Sequence, residues 1–392
     1  MLVGQAPKRD WTVLYYLNGN HDLQPDLVRN LIDLEKVGST DQVTIVAQLS
    51  RSPQKKPAKL DGDWTGMRRY EVEKGSARTK ILSPPVHAQE ESPNHGESQT
   101  LADFLRWGMK NYPARHTMLV IGDHGKGFEG TGFDYHHKDM LDLKEFKKAL
   151  GSFQPDVLVM DACEMGAVEV AYQLRDSAQY LVASEEIIGT MGLPHKDFLG
   201  HLVSHPKLTP GRLAVDLVGL SADDSANRLD KGKPQSAEQL SAVRLDRMEA
   251  LADSMKELGR SLAISDLPRA RLKEMIEETQ HFNLDSNAQP DSDYRDIAHF
   301  CQLLSEVGGP VAKAASQVEK ALKAAVVSNH CLGEDLSDAN GLSVYLPAGR
   351  VKAGSRVKAP DGKPMAGHQV RYQDLEFDRA TGWSAWLEKR FP

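Results

Sequence analysis

The sequence lacks any long apolar run. No stretch approaches the roughly 18–20 consecutive apolar residues that a membrane helix requires, so we predict no contact with a membrane. The first residues, MLVGQAPKRDWTVLYYL, show no basic region followed by a long apolar stretch, which predicts no secretory signal. We therefore expect a cytoplasmic protein, while noting that a secreted protein trimmed to its mature form would look the same.

Cysteine is scarce, and there is no excess of positive charge. The three cysteines form no CxxC pair and are too few for a disulfide framework, so we expect reduced thiols and predict no metal and no required cofactor. Lysine and arginine total 48 against 55 acidic residues, a net charge of −7, which argues against a nucleic-acid partner.

The first half of the chain alternates between two kinds of segment. Short apolar runs predict strands, and the segments between them have helical periodicity. Near-continuous apolar strands separated by helices are typical of a parallel sheet covered on both faces. The predicted strands are 11–17, 43–49, 117–121, 157–160 and 180–183, and the predicted helices are 26–37, 98–112, 143–150 and 167–175.

The character of the chain changes near residue 235. Apolar residues at helical spacing fill 244–262, and three further helices are predicted over 271–282, 295–307 and 311–327. We predict an α/β core over 1–235, a helical C-terminal subdomain over 236–335, and a tail over 336–392 that returns to the core.

Polar residues follow each predicted strand, where ligands bind in open parallel sheets. His124 and Gly125 follow the third strand, and Asp161 and Cys163 follow the fourth. If the strands are parallel, a histidine and a cysteine meet in one crevice. That pair suits catalysis by a thiol, in which the histidine takes the thiol proton and the thiolate attacks a carbonyl carbon.

The position of Cys163 suggests how such a thiol would be activated. A predicted helix begins just after it, and the N–H groups and dipole of a helix N-terminus stabilise a thiolate. The N–H groups of Cys163 and Gly125 could hold an oxyanion. No carboxylate is evidently placed to orient His124, which leaves a backbone carbonyl as the candidate.

Most free cysteines are small buried apolar residues, and that alternative applies to each one here. Cys301 lies on the apolar side of a predicted helix, and Cys331 lies near a helix end. We interpret both as structural. Cys163 differs by its position after a strand and by its pairing with His124.

The chain resembles the clostripain-like cysteine peptidases (peptidase family C11), which belong to the clan of caspases, gingipains and legumain. Several stretches carry the resemblance, and they occur in the family's order along nearly the whole chain. They are WTVLYYLNGNHDLQ, TLADFLRWGMKNYPARHTMLVIGDHGKGF, PDVLVMDACEMGAVEVAYQL, YLVASEE, DSDYRDIAHF, GLSVYLP and YQDLEFDRATGWSAWLEKRF.

This resemblance implies a caspase-like fold and a cysteine endopeptidase with a dyad of His124 and Cys163. It implies cleavage of a protein or peptide substrate after arginine or lysine at P1, with Asp161 as an acid of the S1 pocket. A second acid common in the family corresponds to Met191 here, a departure for which Glu164, Glu185 or Glu186 could compensate. The resemblance also implies activation by self-cleavage or by a partner. Some relatives respond to calcium, but this sequence has no EF-hand spacing.

Two other functions stay open. The chain could be a non-catalytic or partner-activated binding module on the same fold, although the presence of both His124 and Cys163 weighs against that. It could also be another thiol hydrolase, an amidase or esterase. The stretch Asp-Ala-Cys-Glu-Met-Gly lacks the G-x-nucleophile-x-G elbow of the α/β-hydrolases.

Overall fold

A nine-stranded sheet runs through the computed structural model, which describes residues 9–53, 59–231, 238–282, 293–349, 351, 356–358 and 364–392. The strands are β1 (Arg9–Gly19), β2 (Val43–Arg51), β3 (Gly66–Glu71), β4 (Pro85–Gln89), β5 (Ala114–Gly122), β6 (Thr131–Asp134), β7 (Asp139–Leu141), β8 (Val157–Asp161), β9 (Tyr180–Ala183), β10 (Gln239–Arg244), β11 (Tyr294–Asp296), β12 (Val326–Cys331), β13 (Ser343–Tyr345), β14 (Arg356–Lys358) and β15 (Pro364–Gln369).

The sheet has the order β12-β10-β9-β8-β5-β1-β2-β3-β4. Its five middle strands, β9, β8, β5, β1 and β2, are parallel. At one side of the sheet β10 is antiparallel to β9, and β12 is antiparallel to β10. At the other side β3 is antiparallel to β2, and β4 is antiparallel to β3. The five parallel strands are the five that the apolar runs predict. Their carboxyl ends therefore lie at one edge of the sheet, as expected.

Helices cover both faces of this sheet. They are α1 (Gln24–Glu35), α2 (Ser98–Asn111), α3 (Leu143–Leu150), α4 (Val168–Gln173), α5 (His195–Ser204), α6 (Pro210–Asp230), α7 (Met248–Ile264), α8 (Arg269–Glu278), α9 (Ile297–Ser305), α10 (Gly309–Ala325), α11 (Glu376–Thr381) and α12 (Trp383–Arg390). No described helix is long and apolar enough to cross a membrane.

Strand β1 shows why both faces need a helical cover. Its side chains alternate between the faces, as in any strand: Leu14 and Tyr16 join one apolar cluster, and Val13 and Tyr15 join the other. All four are essentially inaccessible to solvent. Helices α1, α5 and α6 pack on the Tyr15 face, and the remaining helices pack on the Tyr16 face. The predicted mainly parallel sheet flanked by helices is confirmed.

The predicted helical subdomain contains three strands that its pattern did not predict, β10, β11 and β12. Strands β10 and β12 lie within 236–335 and extend the central sheet. Helices α7 to α10 share the apolar cluster of the Tyr16 face. The division into three parts stays a prediction, and its boundary at 235/236 lies outside the described residues.

The C-terminal segment packs against the first half of the chain. Glu376 of α11 forms ion pairs with Lys147 and Arg175 at 2.9 and 2.7 Å. Strand β13 pairs with β11, and the Ser343 N–H donates to the carbonyl of Gly166 at 3.0 Å. This last contact connects the C-terminal segment to the loop that carries Cys163.

Candidate active site

A cavity of about 330 Å³ opens at the carboxyl ends of the parallel strands. The loops after β1, β5, β8 and β9 contribute to its walls, so the topology brings together residues that are distant in sequence. His124, Gly125, Asp161 and Cys163 all line it, as predicted from their positions after the strands. The other lining residues are Leu23, Asp26, Leu27, Asn30, Asp123, Lys126, Ala162, Glu164, Ile187, Ile188, Gly189, Thr190 and Gly192.

The backbone around His124 is held by its buried neighbour Asp123. One carboxylate oxygen of Asp123 accepts from the N–H groups of His124 and Phe133 at 2.7 and 3.0 Å, and the other accepts from the Asn18 side chain at 2.7 Å. The His124 ring stacks on Tyr135, with centroids 5.8 Å apart and planes within 7°. The imidazole is therefore fixed both at its backbone and on one ring face.

Asp22 is a partner of His124 that the sequence analysis missed. Its Oδ1 lies 2.9 Å from His124 Nε2, which corrects the expectation that only a backbone carbonyl would orient the ring. The hydrogen bond from His124 lowers the pKa of Asp22, so this carboxylate is ionised at neutral pH. The two residues are 102 positions apart. In the sequence, the only sign of this contact is an aspartate in the turn after the first strand.

Cys163 does not lie at a helix N-terminus, contrary to expectation. Helix α4 begins at Val168, and Cys163 lies in the preceding turn. The Glu164 N–H donates to the Glu186 carbonyl at 3.2 Å, and the Gly166 N–H donates to the Ser184 carbonyl at 2.6 Å. These bonds attach the turn to the loop after β9. The N–H groups of Glu164 and Gly166 therefore bind the loop after β9 and do not extend helix α4 back to Cys163.

Gly125 packs directly on the turn of Cys163. A Cβ atom at residue 125 would lie 2.3 Å from the Cys163 carbonyl oxygen, so only glycine permits this approach. The histidine loop and the cysteine loop are therefore in contact through their backbones. This contact places the backbone of both predicted oxyanion residues at one point of the cavity.

The thiol of Cys163 is not activated in this conformation. Its Sγ accepts from the Ile188 N–H at 3.4 Å and lies 3.8 Å from the Ile188 carbonyl. Burial and the charges of Glu164 and Asp161 raise the pKa of Cys163 to about 12, although the hydrogen bond from the Ile188 N–H lowers it. The expected thiolate is thus replaced by a protonated thiol, because the segment after β9 desolvates the sulfur and no helix dipole opposes this.

Asp161 lines the cavity two residues before the cysteine. Its Oδ1 accepts from the Leu193 N–H at 3.1 Å, and its Oδ2 lies 2.8 Å from His195 Nε2. Both partners belong to the segment that leads into α5. The sequence analysis did not single out His195, whose only local signal is its position at the first residue of a helix.

Met191 and Glu185, the other two predicted substrate-binding residues, are not among the residues that line the cavity. Met191 lies between two that do, but its sulfur is 4.0 Å from Arg228 Nη1 on α6. Glu185 is fully buried, and its Oε2 accepts from the Gly341 N–H at 2.7 Å. Burial and the neighbouring Asp296 raise the pKa of Glu185 well above its usual value. A buried, protonated carboxyl group serves the packing of β13 against the sheet rather than recognition of a cation.

His21, Asp22 and His124 are the described residues that come close enough to share a metal ion, with ligand atoms within 4.8 Å of one another. His21 is already engaged, however. Its Nδ1 accepts from the Leu23 N–H at 3.2 Å, and its Nε2 lies 3.4 Å from Asp123. Because a metal would have to displace these partners, we propose no metal for this cluster.

Comparison with known families gives a match over most of the chain. The sequence model of the clostripain family (peptidase C11) matches residues 66–389. Clostripain from Hathewaya histolytica is 27% identical over 213 residues, which are 47% of this chain and 40% of clostripain. The matched part thus spans well under half the length of that relative.

Two solved structures are similar over nearly the whole chain. An inactive zymogen C11 protease from Parabacteroides distasonis has a TM-score of 0.66 and 18% identity, covering 97% of this chain and 99% of its own. A secreted C11 cysteine protease from Bacteroides thetaiotaomicron has a TM-score of 0.69 and 15% identity, covering 96% and 100%. At this identity the similarity shows the caspase-like fold alone.

Proposed function

The chain belongs to the clostripain family of cysteine peptidases, and from that premise we propose that it is an endopeptidase with Cys163 as nucleophile and His124 as general base. The observation that carries the proposal is that both side chains line one cavity, at loops whose backbones touch. Two residues 39 positions apart in sequence meet there because β5 and β8 are parallel neighbours.

The proposed reaction proceeds through an acyl-enzyme. His124 takes the proton of the Cys163 thiol, and the thiolate attacks the carbonyl carbon of the substrate. The N–H groups of Cys163 and Gly125 hold the oxyanion. When the tetrahedral intermediate collapses, the leaving amine takes the proton from the imidazolium, and water then hydrolyses the thioester.

We further propose that the substrate has arginine or lysine at P1. Four carboxylates line the cavity, at Asp26, Asp123, Asp161 and Glu164, against the single lysine Lys126. Of these, Asp161 is two residues from the nucleophile and largely removed from water. A charge-assisted hydrogen bond in such a place is worth about 1.5–3 kcal/mol. That is enough for strong selection by a single acid, without a second one at Met191.

The segment after β9 lies against the Cys163 thiol, which is partly exposed and lines the cavity. Ile188 binds the sulfur through its N–H, and the desolvated thiol is protonated. Either an activating partner or self-cleavage could release this segment. We propose that the chain gains activity through such a step, which would release the sulfur from the Ile188 N–H.

The direct test is a panel of fluorogenic peptides that differ only at P1. We expect turnover after arginine and lysine, at least about tenfold above norleucine, because one ionised carboxylate discriminates by that much. Turnover of simple esters without any peptide would favour the alternative of an esterase or amidase. A protein that stays inert after every activating pretreatment, and whose Cys163 then also resists a peptidyl acyloxymethyl ketone, would favour a binding module.

Asp22→Asn is expected to lower kcat/KM by about three- to fivefold. The amide keeps an oxygen near His124 but cannot stabilise the imidazolium that forms when the thiol loses its proton. The effect is modest because the Asp22 side chain is 67% exposed, and exposed ion pairs contribute up to about 1 kcal/mol. Steady-state kinetics on the best peptide would measure it. Asp33→Asn, on the exposed side of α1, is the matched control, and equal losses in both variants would contradict this role.

A further inference from the structure

The first two turns of α1 form one wall of the cavity. Leu23, Asp26, Leu27 and Asn30 line it, at the spacing of three and four residues that puts side chains on one face of a helix. No later residue of α1 lines the cavity. Only this part of the helix can therefore contact a side chain that is bound there.

Asn30 connects this wall to the loop around Asp161. It is buried, and with its amide nitrogen directed at two carbonyl groups it donates to those of Asp26 and Met191, at 3.3 Å each. The next residue, Gly192, lies against both sides: a Cβ atom there would be 2.5 Å from Asp161 Oδ2 and 3.1 Å from the end of the Asn30 side chain. Asp161 and Asn30 therefore meet at Gly192, and Asp26 lies one helical turn from this point.

The wall and the base of the cavity match the two parts of a lysine or arginine side chain. Leu23 and Leu27 offer apolar surface for its methylene groups, and the carboxylates of Asp26 and Asp161 can accept from its charged end. The Asp26 side chain is 24% exposed, against 4% for Asp161. Water therefore screens the charge of Asp26 more than that of Asp161.

From this geometry we propose that Asp26 is a second specificity-determining residue, which strengthens the preference for a basic P1 side chain, and that Arg29 limits its effect. The inference rests on the proposed function. Arg29 Nη1 donates to Asp26 Oδ1 at 2.8 Å, and the carboxylate keeps another oxygen for a second donor. Arg29 is exposed and does not line the cavity, so it offsets part of the charge of Asp26 without filling the cavity.

Asp26 carries this charge at neutral pH. Its pKa is raised, because burial and the charge of Asp22 outweigh the opposing ion pair and hydrogen bond with Arg29. An aspartate ordinarily titrates at about pH 4, however, and the pairing with Arg29 favours the charged form. A basic P1 group that enters the cavity thus meets an ionised carboxylate on this wall.

Two substitutions that break the same ion pair test the inference, because they should have opposite effects. Asp26→Asn removes the carboxylate charge, and we expect the ratio of kcat/KM between P1 arginine and P1 norleucine peptides to fall by about three- to fivefold. Arg29→Gln frees that charge from its partner, and the ratio should rise by about twofold. If both variants lower the ratio, or if neither changes it, the inference is overturned.

The double variant shows whether Arg29 acts through Asp26. Because its effect requires the carboxylate, Arg29→Gln should change the ratio by less than about 1.5-fold when Asp26→Asn is already present. A rise of about twofold in this background would mean that Arg29 repels the substrate by its own charge, and would overturn the role of the pair.

Asp33 and Lys36 provide the matched control. They form an ion pair at the same spacing on α1, about two turns beyond the first pair, and neither residue lines the cavity. We expect Asp33→Asn and Lys36→Gln to leave the ratio within about 1.5-fold of the wild type. A fall in Asp33→Asn equal to that in Asp26→Asn would show that any charge on this helix suffices, which contradicts a role inside the cavity.

Benzamidine, a compact cation that resembles a P1 guanidinium group, separates the inference from the proposed function because it needs no catalysis. Its affinity for the Cys163→Ala protein, measured by calorimetry, should weaken about three- to fivefold with Asp26→Asn and tighten about twofold with Arg29→Gln. If no peptide is cleaved but benzamidine shows these opposite shifts, the endopeptidase proposal fails and the cation site stands. If peptides are cleaved after arginine while neither variant changes the ratio, the inference fails alone.

Discussion

Cys163→Ala should abolish peptide cleavage, lowering kcat/KM by at least about ten-thousandfold. An alanine has no group that can form the acyl-enzyme, and the remaining side chains of the cavity could only orient a water molecule. The loss is expected to be in kcat, since the cavity that binds the substrate is unchanged. The same fluorogenic peptides would measure it, with thermal unfolding to show that the variant keeps its fold.

Cys331→Ala is the matched control for this variant. Cys331 is also a free and partly exposed cysteine, but it lies in β12 at the end of the sheet and does not line the cavity. We expect its activity to stay within about twofold of the wild type, as for most substitutions remote from a site. Wild-type activity in Cys163→Ala, or an equal loss in Cys331→Ala, would show that the nucleophile lies elsewhere.

Asp161→Asn is expected to lower kcat/KM for a P1 arginine peptide by about 10- to 100-fold and to change that for a P1 norleucine peptide by less than about threefold. The amide keeps the shape of the side chain and an acceptor for the Leu193 N–H. It removes the negative charge, which only a cationic P1 group uses. Comparing the two peptides at one pH separates specificity from damage to the catalytic groups.

Asp216→Asn tests whether breaking another aspartate–histidine pair would produce the same result. Asp216 pairs with His201 at 2.9 Å, close to the 2.8 Å of the pair at Asp161, and it lies outside the cavity. We expect Asp216→Asn to change kcat/KM by the same factor for the P1 arginine and the P1 norleucine peptide. A parallel loss for both peptides in Asp161→Asn would mean that Asp161 holds the strand end and does not contact the P1 side chain.

Several features of the site could be predicted from local sequence because they depend on position relative to a strand. His124 and Cys163 each follow a buried apolar run, and parallel pairing of β5 and β8 then brings their loops together. The same reasoning placed Asp161 at the cavity. It failed for Glu185, which also follows a strand, because the chain folds back and covers it with Gly341.

The position of Cys163 shows a second limit, because α4 begins within one residue of its predicted start at 167 and the turn of Cys163 is not its N-terminus. A run of residues suited to a helix follows Cys163, yet α4 begins only at Val168. Tertiary hydrogen bonds from Glu164 and Gly166 to the loop after β9 take the backbone groups that a helix would have used. Helical propensity of a few tenths of a kcal/mol per residue cannot compete with such bonds.

The sequence by itself determined the layered α/β architecture, the polar ends of its strands and, through ordered motifs, the family. Each of these depends on local periodicity or on chemical identity. Only the tertiary structure decided that Asp22 meets His124, that His195 meets Asp161 and that Ile188 binds a protonated thiol. Those outcomes depend on how loops far apart in sequence close on one another and on how completely they exclude water. No local pattern specifies how these loops close or how much water they exclude, because both depend on many contacts from separate parts of the chain.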